Sequence, residues 1–69
     1  MFVLFHVPSG MYADQIDVKA DGTIKTCGIA YRDQSEAAGE IESIARHGGV
    51  ADHWIVVAKP ENVHVQWII

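Results

Sequence analysis

The chain has 69 residues with nine acidic and five basic side chains, a formal charge of -4 at pH 7, 49% hydrophobic residues and a mean hydropathy of +0.10. A chain this short holds one core and buries only about 60% of its unfolded surface. The single cysteine, Cys27, excludes an intramolecular disulfide and a thiolate zinc site, and the shortage of Lys and Arg argues against nucleic acid or an anionic membrane as the main partner.

Phe2 to Val7 is a continuous apolar run interrupted only by His6 and closed by Pro8-Ser9-Gly10. It is too short for a membrane span and carries no basic leader pattern, so it reads as a strand, buried on both faces, of a cytoplasmic protein. Ile16-Asp17-Val18-Lys19 and Thr23-Ile24-Lys25-Thr26 flank Asp21-Gly22, a hairpin signal. A two-residue loop would set Val18 opposite Lys25, mixing apolar and charged residues on one face. A three-residue loop with Gly22 left-handed sets Val18 opposite Ile24 and Asp17 opposite Lys25, and is preferred. The second strand is expected to continue to Tyr31, with Gly28 marking a bulge or a close backbone approach.

The clearest element is a helix over about residues 34–47. Asp33 is its N-cap, Glu36 completes a capping box, and Gly48-Gly49 closes the other end. Ala37, Ala38, Ile41, Ile44 and Ala45 recur at helical spacing as an apolar stripe. Trp54 to Ala58 and Val63 to Ile69 then read as strands about a turn at Lys59-Pro60-Glu61-Asn62, a second hairpin with Pro60 in the turn's second position. In the last strand Val63, Val65, Trp67 and Ile69 share the face expected on the core. The whole is a single α+β domain over residues 1–69, an antiparallel or mixed sheet of about five strands in the order β-ββ-α-ββ with the helix on one face. One helix covers only part of such a sheet, leaving apolar residues that close on themselves or meet a partner.

Candidate chemistry is sparse. His47, Asp52 and His53 match no metal-ligand spacing, so His47 reads as a cation at the helix C-terminus and His53 as a loop residue. No family signature surrounds Cys27, which reads as a small strand residue rather than a nucleophile. Tyr12, Tyr31, Trp54 and Trp67 lack the basic frame that base-stacking proteins use. No cofactor, metal site or catalytic group is expected, and the chain reads as a non-enzyme.

The acids are the feature left over. Asp33, Glu36 and Glu40 follow one another at three- and four-residue steps on one helix face, and Glu36 and Glu40 are an i,i+4 like-charge pair that costs an isolated helix a few tenths of a kcal/mol. With Asp17 and Asp21 as a second patch and Tyr12 or Tyr31 as a desolvated anchor, they suit a basic partner surface. In size, charge and one-domain build the chain resembles the small acidic proteins of phages and other mobile elements, including the anti-CRISPR inhibitors. That resemblance implies an inhibitor in the host cytoplasm whose acidic face mimics DNA and occupies a basic nucleic-acid-binding groove of a protein complex such as a CRISPR effector. The alternative is a homodimeric structural or assembly module that uses the uncovered sheet face, with the acids serving solubility.

Overall fold

The fold is arranged about β1 (Phe2–His6), in which consecutive residues are buried on opposite sides: Val3 is 0% and Leu4 2% exposed. Successive side chains of a strand point to opposite faces, so β1 divides two cores, as its unbroken apolar run predicts. Burying each of these side chains contributes roughly 1.5–3 kcal/mol. The computed structural model describes residues 1–18 and 24–69.

After β1 come a two-residue strand β2 (Met11–Tyr12), β3 (Ile16–Val18), β4 (Ile24–Ala30), the helix α1 (Gln34–Arg46), a short 3-10 helix (Ala51–His53), β5 (Trp54–Ala58) and β6 (Val63–Ile68). The strands form two three-stranded sheets, β2-β1-β5 and β3-β4-β6, rather than the one expected. β1 is antiparallel to both neighbours; β4 is antiparallel to β3 and parallel to β6. The two sheets meet where Phe2 and Tyr31 exchange backbone hydrogen bonds of 2.7 and 2.8 Å.

The first hairpin has the predicted register, with Asp17 opposite Lys25 and Val18 opposite Ile24. Its turn at Asp21-Gly22 lies outside the described residues. The second hairpin does not form. β5 pairs with β1 and β6 with β4, so the segment between them carries the chain from one sheet to the other. Pro60 is the first residue of that turn, its carbonyl accepting from the Val63 N–H at 3.2 Å, and the Lys59 ammonium donates to the carbonyls of Pro60 and Val63 at 3.1 and 2.8 Å. The local turn signal is genuine, but tertiary burial decides the pairing: Val63, 1% exposed, joins Val3, Cys27 and Ala30 in the first core. The apolar face of β6 holds only for its first half, since Val65 is half-buried while Trp67 is 71% exposed.

The second core lies under the helix. Leu4, Tyr31 and Ala37 are buried there, with Ile29, Ile41, Ile44 and Val56 packed against them. Of the predicted helical stripe, Ala37, Ile41 and Ile44 face the sheet, whereas Ala38 and Ala45 are exposed. The helix termini form where expected. Asp33 Oδ1 accepts from the Ser35 N–H and hydroxyl, both at 3.0 Å, which satisfies one orphan donor of the first turn. The Glu36 half of the capping box makes no hydrogen bond among the described residues. At the C-terminus Gly48 is left-handed (φ 94°), the Gly49 N–H donates to the Ile44 carbonyl at 2.9 Å and the Gly48 N–H to Ala45 at 3.4 Å, a Schellman closure.

Candidate partner-binding site

The second core opens at a groove of about 250 Å³ between α1 and the strands beneath it. Leu4 of β1, Ile29 of β4 and Ile44 of α1 supply aliphatic walls, and Trp54 adds an aromatic one. Trp54 is half-buried and backed by the His6 ring, with centroids 4.7 Å apart; His6 in turn meets His53 at 5.9 Å and the Ser9 hydroxyl at 2.8 Å. Tyr31 also lines the groove, and two exposed carboxylates belong to it, Asp14 from the loop side and Glu40 from the helix.

Asp14 reaches the groove through an unusual piece of backbone. The Ala13 N–H donates to the Leu4 carbonyl at 3.0 Å and the Gly28 N–H to the Ala13 carbonyl at 3.2 Å, so Ala13 is inserted between β1 and β4. The chain then turns back, the Gln15 N–H donating to Tyr12 O at 3.1 Å, with Asp14 left-handed at φ 53°. Asp is among the non-glycine residues enriched in that conformation. Gly28 is required opposite it, since a Cβ there would lie 2.8 Å from the Asp14 Cβ and 3.0 Å from Oδ2. The close approach anticipated at Gly28 is therefore present.

Tyr31 is 4% exposed, and its hydroxyl makes no hydrogen bond among the described residues. No side-chain oxygen or nitrogen among those residues is sealed off without a partner, so the hydroxyl keeps an opening, and the groove that Tyr31 lines supplies it. Burial pushes the Tyr31 phenol above its ordinary pKa, and the charges of Glu40 and then Asp14 push it further. Both carboxylates thus act on the same hydroxyl. No ion pair forms among the described residues, and the Glu42 and Arg46 side chains, four positions apart, make none.

Of the residues singled out in the sequence, Glu40 and Tyr31 meet at this groove, while Asp33 and Glu36 lie exposed toward the helix N-terminus. Tyr31, expected as a desolvated anchor, has its ring in the second core. Tyr12 belongs elsewhere: it is half-buried, edge-on to Phe5 at 5.3 Å and packed against the Val3 core. Asp17 is placed by its backbone in β3, outside the groove lining, and Asp21 lies outside the described residues. Asp14 and Trp54 were not assigned to the site from sequence; only the tertiary pairing of Ala13 with Gly28 brings Asp14 there. His47 and His53 have separate surroundings, the His47 ring nitrogen being 2.7 Å from the Ser43 carbonyl and the His53 ring beside His6. Burial pushes the Cys27 thiol above its ordinary pKa, which suits a packed strand residue.

No protein-family model, curated protein or solved structure shows a significant match to this chain. No helix among the described residues is long and apolar enough to cross a membrane.

Proposed function

We propose that this protein is a non-catalytic, inhibitory or regulatory binding protein that docks its acidic helix face on a basic nucleic-acid-binding groove of a protein complex, in the manner of the anti-CRISPR inhibitors. The observation that carries this reading is the row of exposed carboxylates Asp33, Glu36 and Glu40 along α1, joined from the facing loop by Asp14, with no ion pair neutralising any of them among the described residues. Such a surface presents negative charge along a ridge, steers encounter with a basic groove and sets orientation. Reversal of both Glu36 and Glu40 to Lys is expected to abolish capture of a basic nucleic-acid-binding complex at low salt, with the circular dichroism unchanged. Equal capture by the parent and the double reversal would overturn the reading.

A second reading, self-assembly, rests on one observation at the edge of the other sheet, β3-β4-β6. β6 is the last strand of its sheet, and Trp67, Ile68 and Ile69 are 71, 46 and 50% exposed beside it. An unpaired edge with large apolar side chains is a template for a second strand, and a two-fold axis would pair it with its own copy. A dimer whose association does not weaken with salt distinguishes this from docking through charge.

A further inference from the structure

We infer that the groove beneath α1 is a receptor for a single lysine side chain presented by the basic partner, its ammonium held by Asp14, Glu40 and the Tyr31 hydroxyl. The inference rests on the acidic docking reading and deepens it by naming what the partner inserts.

The groove's size comes first. At about 250 Å³ it falls below the roughly 300–1,000 Å³ typical of small-molecule and cofactor pockets, and it suits one side chain. Its lining matches an amphipathic side chain from stem to head. Leu4, Ile29 and Ile44 offer apolar contact for a methylene stem, and Asp14, Glu40 and Tyr31 supply polar groups for its head. The ring of Tyr31 is buried, and its hydroxyl, which has no hydrogen-bond partner among the described residues, opens into the groove, where an occupant can reach it.

Charge then selects the occupant. Two carboxylates and a hydroxyl form a set of acceptors, so the complementary group is a cation that donates in several directions. An ammonium offers three rotatable donors from a compact centre, whereas a guanidinium needs a planar fork of acceptors to match. Trp54, also in the lining, adds an aromatic surface to which a cation is attracted. In this arrangement Tyr31 lines the hole, and the partner supplies the knob.

The test uses the isotope-labelled full chain titrated with capped Gly-Lys-Gly, and with the same tripeptide carrying norleucine or arginine, followed by amide and indole chemical shifts. Saturable shifts at Ile44, Tyr31 and the Trp54 indole with the lysine peptide alone are expected. Tyr31→Phe and Glu40→Gln should each weaken that binding about tenfold, the loss expected for one hydrogen bond to a charged group. Asp14→Asn, which keeps a residue that tolerates the left-handed backbone, should do the same with an unchanged fold. Equal shifts with norleucine would reduce the groove to an apolar crevice, and equal shifts with arginine would overturn the ammonium assignment. Absence of shifts with lysine overturns the inference alone if Glu36→Lys, one turn from Glu40 and outside the groove lining, still abolishes partner capture. Lysine binding that survives while Glu36→Lys leaves capture intact would sustain the groove and overturn the helix-face reading.

Discussion

Gly28 and Asp14 approach one another so closely that a side chain on the glycine would stand 2.8 Å from the Asp14 Cβ. That approach lets Ala13 enter between β1 and β4 and turns the Asp14 carboxylate toward the groove. Gly28→Ala should therefore destabilise the protein by about 1–3 kcal/mol, the usual range for forcing atoms into a packed site. Gly39 gives the opposite sign. It is exposed inside α1 with nothing within 4 Å of a Cβ, and Gly39→Ala should stabilise by roughly 0.5–1 kcal/mol. Urea midpoints of the two variants at constant m-value measure both effects.

What could be read from the sequence was what local chemistry decides. Alternation placed Val18 opposite Ile24, the apolar run Phe2–His6 announced a strand buried on both faces, and Asp33 and Gly48 marked the helix ends. What could not be read was the partner of each strand. Lys59-Pro60-Glu61-Asn62 has the composition of a hairpin turn, but a turn signal fixes the reversal of the chain and not the strand beside which it returns. Only the burial of Val63 against Val3 and Cys27 sends β6 to β4. The site divides in the same way. Glu40 was visible through helical spacing, whereas Asp14 lies in the loop between β2 and β3, and no spacing rule connects it to the helix.

Asp33 combines two roles that substitution can separate. Its carboxylate oxygen caps the Ser35 N–H, and its charge begins the acidic row. Asp33→Asn retains a good cap and should leave stability within a few tenths of a kcal/mol, while Asp33→Ala should cost about 1 kcal/mol. Both remove one negative charge and should weaken capture of a basic partner equally at low salt. Thermal melts and the salt dependence of capture would be read together. A capture defect confined to the alanine variant would assign the effect to the helix rather than the charge.

Alkaline pH should destabilise the fold in two steps. Burial raises the Cys27 pKa above the thiol's ordinary value of 9.0 and, with Glu40 and Asp14, raises that of Tyr31 above 10.0. In each case the unfolded chain ionises at a lower pH than the folded one. The stability these groups contribute is therefore intact below the unfolded pKa and declines as pH rises toward the folded value. Urea midpoints should fall from about pH 9 upward. Cys27→Ala should flatten the first part of the decline and Tyr31→Phe the part above pH 10, each relative to its own midpoint at pH 7.

The exposed end of β6 sets the last prediction. Val63 to Ile69 contains no charged side chain, so two copies paired antiparallel about Gln66 would set Trp67 of each strand beside Val65 of the other without opposing charges. Trp67 is 71% exposed, so removing its apolar surface disturbs little within the monomer. Trp67→Lys should leave the unfolding midpoint of the monomer within about 0.5 kcal/mol of the parent, as surface changes usually do. It should also place like charges across any two-fold edge contact. Sedimentation over a range of concentrations decides the matter: an association of the parent that Trp67→Lys abolishes and salt does not supports assembly through β6. A parent that sediments as a monomer at every concentration removes that reading and leaves the edge as exposed surface.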